Sequence, residues 1–204
     1  MKTIRFSGFL ATAVYLGLTL TAFLFCPEKY SPLHNWLSDL GNPLINTKGA
    51  VFYNAGCLIA GLLLIVFYLG LKTWRTGDKV LKRLLAIAQI AGVCASAALI
   101  LAAVFNIGEH FEVHSRFSMI LVIGLTWFLS FVNTALLRHP RFWKWLAFYG
   151  FVAAAVSLIY GVFLNAPIGE WATIGMFIAY IVLLSCNALS AASMPATKQV
   201  GASL

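Results

Sequence analysis

The stretch AVFYNAGCLIAGLLLIVFYLGL, residues 50–71, carries no charged side chain over its whole length. At a helical rise of about 1.5 Å per residue, such a run crosses the roughly 30 Å hydrocarbon core of a bilayer. Uninterrupted apolar runs of this length are typical of transmembrane helices rather than of helices in soluble domains. Residues 50–71 are therefore predicted to span a membrane.

The rest of the chain has the same character. Hydrophobic residues make up 61% of its 204 positions and charged residues 10%, whereas a soluble domain is roughly 45–50% apolar. We therefore expect an integral membrane protein with an all-α, polytopic fold and a single domain over residues 1–204. The six predicted transmembrane helices lie at about 4–26, 50–71, 84–105, 117–137, 145–164 and 172–191.

Basic residues are distributed unevenly between the two ends of these spans. Of the 14 Lys and Arg residues, all but Lys29, Lys48 and Arg116 fall on the side of the N-terminus. The positive-inside rule then predicts cytoplasmic N- and C-termini in the cell (plasma or inner) membrane. The basic residues on the cytoplasmic side also account for the net charge of +8. Because membrane topology explains this charge, nucleic-acid binding is not expected. The first span is predicted to be retained, because its apolar run is too long for a signal peptide.

The middle of each predicted span lacks Asp, Glu, Lys and Arg. Coupled ion transporters usually carry such groups there, so a transporter is disfavoured. Small residues instead recur every fourth position, which predicts close helix packing. They are Ala88, Gly92 and Ser96 in the third span and Ala153, Ser157 and Gly161 in the fifth. Gln89, Asn133 and Asn187 are expected to form interhelical hydrogen bonds.

Titratable residues concentrate in the three predicted outer connections. These hold five of the six acids and three of the four histidines: Glu28, His34 and Asp39, then Glu109, His110, Glu112 and His114, then Glu170. The first connection, residues 27–49, is much longer than two neighbouring helices need and is expected to cap the bundle. The outer connections are therefore predicted to share a polar pocket.

His110 and His114 are four residues apart, which would place both rings on one face of a helix, as two zinc ligands would be. His34, Asp39 or Glu170 would have to supply a third ligand, and EHFEVH is not the HExxH order of zinc proteases. Solvated or hydrogen-bonded histidines are the alternative, as is local backbone capping by Ser38 or Asp39. No cofactor is expected, and zinc is the one alternative that these residues leave open.

NWLSDLGNP, residues 35–43, and GAVFYNAGCLIAGLLL, residues 49–64, together resemble a prokaryotic family of six-span membrane proteins classed as a domain of unknown function. That family is distantly similar to the DRAM and Sfk-type membrane proteins, which are implicated in lipid organisation. The matching positions are Ser38, Asp39, Leu40, Gly41, Asn54, Gly61, His114, Ser115, Gly169 and Glu170. The chain departs from the family pattern at IGEHFEV, which lacks Phe-Pro before the histidine, and at Trp171, which replaces an arginine.

The resemblance implies an architecture without an assigned reaction. The ligand-pocket candidates are Ser38, Asp39, Asn54, His114 and Glu170. We favour a non-enzymatic protein that binds a lipid headgroup or small ligand, with membrane lipid, a second copy or a membrane-complex subunit as partner. The alternative is a zinc-dependent intramembrane lipid hydrolase or transferase, similar in residue types to alkaline ceramidases, with His34, Asp39, His110 and His114 as the metal-ligand candidates.

Overall fold

The computed structural model describes residues 2–26, 30–164 and 166–193, and over these residues it is helical without strands. Five segments are long and apolar enough to cross a membrane, which confirms the predicted all-α membrane class. The six α-helices of the described residues are α1 Lys2–Leu24, α2 Ala50–Gly70, α3 Lys79–Val104, α4 Phe111–Leu136, α5 Lys144–Leu158 and α6 Pro167–Ser193. Glu28, Lys29 and Lys198, which entered the charge distribution above, lie outside the described residues.

The fifth predicted span differs from the others. Helix α5 has 15 residues and continues as a π-helical turn over Ile159–Leu164. At about 1.5 Å per residue α5 alone is shorter than the hydrocarbon core. The count of six spans therefore stays a prediction, as does the orientation of the termini.

Three helices, α3, α4 and α6, begin five or six residues earlier than the hydropathy pattern predicts. The sequence placed His114 and Glu170 in loops, and this is wrong, because His114 lies in the first turns of α4 and Glu170 in the first turn of α6. Pro167 suits the first position of α6, where a missing N–H is not needed. The acidic residues Glu112 and Glu170 interact favourably with the positive ends of the helix dipoles. Hydropathy ends a span at its first charges, but the helix continues beyond them.

The helices form a closed ring. Each helix packs on its neighbours in the sequence, and α1 packs on α6 to close the ring. Aromatic side chains fill much of its interior: Phe128 lies edge-on to Tyr68, Phe177 and Tyr180. The four cysteines are free.

Gly92, Gln89 and Asn133 join the helices as predicted. Asn187 bonds instead to the backbone of Arg141 and Trp143, in the connection between α4 and α5. At Gly92 a Cβ atom would lie 2.5 Å from the ring of Tyr68, so only glycine allows this approach of α2 to α3. Tyr180 of α6 donates a hydrogen bond to Asn133 Oδ1 of α4 at 2.8 Å, and Gln89 Nε2 of α3 donates to the Tyr68 carbonyl at 2.9 Å. These bonds satisfy polar groups that would otherwise be costly in an apolar interior.

Candidate functional site

The motif LSDLG forms a buried 3₁₀ turn, Leu37–Gly41, which we call the LSDLG turn. Asp39 Oδ2 accepts a hydrogen bond from the Trp36 backbone N–H at 2.9 Å. Burial raises the pKa of the Asp39 carboxyl, and this bond from Trp36 opposes the rise. Asp39 therefore acts as a local backbone cap, the alternative that the sequence left open.

The LSDLG turn is fixed to α2 through Gly41. Asn54 Nδ2 donates a hydrogen bond to the Gly41 carbonyl at 2.9 Å. A Cβ atom on Gly41 would collide with Asn54 Oδ1 and lie 2.7 Å from Tyr53 Cδ1. Glycine is therefore required here because the turn backbone lies directly on the side chains of α2.

The same turn is fixed to the start of α6. Glu170 Oε2 accepts hydrogen bonds from the Ser38 backbone N–H at 3.3 Å and from Ser38 Oγ at 3.4 Å. Beside it, Trp171 Nε1 donates to the Asn35 carbonyl at 3.1 Å. Two adjacent residues of α6 thus hold the first long connection over the bundle.

His114 is buried and connects α4 to the end of α3. Its Nδ1 lies 2.8 Å from the Ala102 carbonyl and 3.1 Å from the Phe105 carbonyl. Both partners are acceptors, so Nδ1 carries the proton. Among the described residues Nε2 has no hydrogen-bond partner, so in the neutral ring it is an acceptor that can receive a bond from a ligand.

The other metal-ligand candidates lie apart from this position. His110 is exposed with its ring centroid 5.6 Å from that of Phe105, and His34 is also exposed. Glu109 accepts a hydrogen bond from Asn106 at 2.7 Å. No group of three or more His, Cys, Asp or Glu residues suited to a metal occurs within residues 2–26, 30–164 and 166–193. The residues described there do not form a complete zinc site.

An interior cavity of about 80 Å³ lies beneath the LSDLG turn. Four of the five ligand-pocket candidates line it, namely Ser38, Asn54, His114 and Glu170, and Asp39 is not among its lining residues. The cavity continues downward between α1, α2, α3, α4 and α6, where most of its surface is apolar. Its deeper lining includes Cys57, Ala60, Leu64, Leu99 and Phe177.

A second cavity of about 350 Å³ lies between the N-terminal ends of α4 and α6. Ser38, His114 and Glu170 line this cavity as well as the interior one. Its remaining surface includes the exposed side chains of Phe111 and Met119 on α4. The shared residues therefore stand between the interior of the bundle and a gap at its side.

Sequence reasoning missed several lining residues. Ser118 lines both cavities because it lies four positions after His114, on the same face of α4. That spacing was visible in the sequence. Tyr15 and Tyr53 also line the interior cavity, with their hydroxyl oxygens 3.5 Å apart. Their meeting depends on how α1 packs against α2, for which the sequence carries no local signal.

Comparison with known proteins shows kinship at the level of a family. A family model described as "Protein of unknown function (DUF998)" matches residues 9–194. The matched region contains all five ligand-pocket candidates. No curated protein and no solved structure matches the chain.

Proposed function

This chain belongs to the DUF998 family of proteins of unknown function, and from that premise we propose that it binds the headgroup of a membrane lipid or another small amphiphile. The polar part of the ligand contacts Ser38, Asn54, His114 and Glu170. Its apolar part enters the cavity below them, which must widen from about 80 Å³ to hold more than a short chain segment. The protein acts as a binding protein rather than as an enzyme.

The observation that carries this proposal is the polarity of the interior cavity. Its upper rim combines a carboxylate, an imidazole, a hydroxyl and an amide, while its deeper lining is mostly apolar. Ligand sites typically pair a largely apolar surface with a few polar groups that orient the ligand. His114 Nε2 and Glu170 can each accept a hydrogen bond, so the headgroup supplies at least one donor, such as a hydroxyl or an amine.

The second cavity supports a route of entry from the bilayer. It lies between α4 and α6 and shares Ser38, His114 and Glu170 with the interior cavity. A lipid that moves sideways through this gap keeps its chain in an apolar environment throughout, which avoids exposing that chain to water.

We place this site at the outer face of the cell membrane. Eleven of the 14 basic residues lie at the ends of the predicted spans that are opposite to the site. The positive-inside rule assigns those ends to the cytoplasm. In this arrangement both termini are cytoplasmic, and α5 together with its π-helical turn forms the fifth of six spans. Membrane lipid is the proposed binding partner. A second copy of the chain, or a subunit of a membrane complex, is a further proposed partner.

Native mass spectrometry of the protein purified from its own membrane tests the proposal. His114→Ala and Glu170→Gln should each reduce the amount of co-purified lipid several-fold. His114→Ala removes an acceptor, and in Glu170→Gln the amide oxygen still accepts from Ser38, so the NH2 donor faces the donor of the headgroup. His110→Ala and Glu112→Gln are matched controls, since both residues are exposed near the start of α4, and they should retain the lipid of the wild type. An unchanged lipid profile in His114→Ala and Glu170→Gln would refute the proposal.

A zinc-dependent hydrolase or transferase acting on lipid is the second candidate function. The observation that favours it is the position of His114 Nε2, an atom suited to a metal, at a cavity that Glu170 also lines. His34, His110 and Asp39 would have to move toward His114 to complete a ligand set. Metal content separates this candidate from the binding protein.

A further inference from the structure

Two buried hydroxyl groups in the interior cavity lack partners. Tyr68 is fully buried and Ser96 is 2% exposed. Neither Tyr68 Oη nor Ser96 Oγ has a hydrogen-bond partner among the described residues. Both residues line the interior cavity. Buried polar atoms in folded proteins nearly always have a partner, so this pair needs an explanation.

Packing explains the ring of Tyr68 but not its hydroxyl. The ring lies over Gly92 and edge-on to Phe128, with centroids 4.7 Å apart. A phenylalanine would make the same contacts without leaving a buried polar atom unpaired. The Tyr68 hydroxyl therefore contributes nothing to the packing of α2 against α3.

Thr19 and Thr173 share with Ser96 the lack of a hydrogen-bond partner among the described residues, but neither lines the interior cavity. Four other hydroxyl residues of the helices differ from Ser96. Thr126, Ser130, Thr134 and Ser185 each donate to the carbonyl four residues earlier in their own helix, at 2.8 to 2.9 Å. This is the usual way in which a helix satisfies such a side chain. Ser96 makes no bond of this kind within the described residues, so its hydroxyl is available to a group in the cavity.

The two hydroxyls lie well below the polar rim. Ser96 is opposite Gly61, where a Cβ atom would lie 3.3 Å from the Ser96 carbonyl oxygen. Gly61 follows Asn54 by two helical turns, so this level is roughly 10 Å deeper than Asn54 along α2. The Tyr68 ring packs on Gly92, which lies one helical turn from Ser96 in α3. A tyrosine side chain in a helix extends toward the N-terminal end of that helix. The Tyr68 hydroxyl therefore extends along α2 toward the level of Gly61 and Ser96.

We propose that Tyr68 and Ser96 form a second polar subsite that donates hydrogen bonds to an oxygen atom within the apolar part of the ligand. The ligand class is an amphiphile whose chain carries a hydroxyl, carbonyl or ester oxygen at mid-length. This inference rests on the proposed lipid binding and specifies which lipids bind best. The subsite selects oxygenated chains because an unsubstituted chain would leave both hydroxyls unpaired.

A pair of probes tests the inference in the full-length protein. Glycerol mono-10-hydroxystearate and glycerol monostearate share a headgroup and differ by one mid-chain hydroxyl. We expect native mass spectrometry in detergent to show about tenfold stronger retention of the hydroxylated probe by the wild type, as two hydrogen bonds would give. Tyr68→Phe combined with Ser96→Ala should abolish this preference. Tyr149→Phe combined with Ser130→Ala, which removes two hydroxyls outside the cavity, should keep it.

Each outcome has a defined meaning. Equal retention of the two probes by the wild type refutes the subsite while leaving the proposed lipid binding intact, and indicates that water satisfies the hydroxyls. A preference that persists in the Tyr68→Phe, Ser96→Ala variant also refutes the subsite. Failure of the wild type to retain either probe contradicts the proposed lipid binding together with the subsite. If the variant does not fold, Ser96→Ala alone should halve the preference or reduce it further.

Discussion

Ser38 and Glu170 lie 132 residues apart in the sequence, yet Glu170 Oε2 accepts hydrogen bonds from both the backbone N–H and the hydroxyl of Ser38. This pair joins the first long connection to the start of the last helix. It also places both residues at the rim of the interior cavity and of the gap between α4 and α6. The contact that orders the LSDLG turn is therefore the contact that shapes the proposed site.

Removal of the Glu170 carboxylate should destabilise the protein. Glu170→Ala leaves the buried Ser38 backbone N–H and hydroxyl without their acceptor, which costs on the order of 1–3 kcal/mol. Ser38→Ala loses only the hydroxyl bond and should cost less, about 0.5–1.5 kcal/mol. Thermal unfolding in detergent measures the difference. Glu112→Ala, at an exposed position of α4, is the control, and an equal effect of Glu112→Ala and Glu170→Ala would contradict the role of the contact.

Gly41 should tolerate no larger residue. A Cβ atom at this position would overlap Asn54 Oδ1 and Tyr53 Cδ1, so Gly41→Ala should push the LSDLG turn away from α2 at a cost of about 1–3 kcal/mol. Gly17→Ala is the matched control, because a Cβ atom there has no neighbour within 4 Å. The unfolding midpoints of the two variants provide the measurement. If they agree, the turn is free to shift and its close contact with α2 is unimportant.

The sequence predicted the helices because each uncharged run is long enough to cross a bilayer. It also singled out Ser38, His114 and Glu170, since charged and polar residues stand out against apolar spans. It failed at the start of α6, where hydropathy excluded Glu170 from a helix that begins at Pro167. The hydropathy of the sequence indicates which residues lie in the hydrocarbon core of the bilayer. Where a helix begins and ends depends instead on its backbone hydrogen bonds, which continue beyond that core.

The interior of the site was beyond the reach of sequence reasoning. Ser38 and Asp39 are adjacent, but Ser38 bonds to α6 while Asp39 turns back to the Trp36 amide. This division depends on the geometry of a single 3₁₀ turn. Tyr68 and Ser96 look like ordinary helix residues in the sequence, and their unpaired hydroxyls appear only when α2 and α3 are packed together.

The stability of the LSDLG turn should depend on the protonation of Asp39. Burial raises the pKa of Asp39 in the folded protein, so the folded state favours the protonated form. Its contribution to stability is present in full below the ordinary pKa near 3.8 and is lost as the pH rises through the raised value. Unfolding midpoints measured between pH 4 and pH 7 should therefore fall less with rising pH in Asp39→Asn than in the wild type.

Asp78 provides the control of opposite sign for this measurement. Hydrogen bonds from the Leu81 and Val80 amides lower the pKa of Asp78, so its contribution is lost as the pH falls instead. This loss lies at and below the ordinary pKa of 3.8, so for this control the pH series is extended below pH 4, where Asp78→Asn should remove the loss. If Asp39→Asn follows the wild-type pH profile throughout, the Asp39 carboxyl has the same pKa in the folded and the unfolded protein, which contradicts the rise caused by burial.

Metal content should distinguish the two candidate functions. The binding protein is expected to carry no near-stoichiometric zinc when purified without chelators, as measured by inductively coupled plasma mass spectrometry. The hydrolase instead requires about one zinc per chain, lost in a His110→Ala, His114→Ala double variant. His34→Ala serves as a further test. Because His34 is exposed, this variant should lose zinc only if the first connection closes over His114 and brings His34 to the metal. Near-stoichiometric zinc that depends on these histidines would overturn the binding proposal.

The proposed topology predicts which side of the membrane each connection faces. A cysteine at Lys48, in a background where the four native cysteines are replaced, should react in intact cells with a maleimide that does not cross the membrane. A cysteine at Gly77, between α2 and α3, should react only after the membrane is opened, because the basic residues near it assign that connection to the cytoplasm. The two positions flank α2, so their labelling must differ if α2 crosses the bilayer. The reverse pattern would place the LSDLG turn and Glu170 on the cytoplasmic side, and the proposed ligand would then come from the inner leaflet.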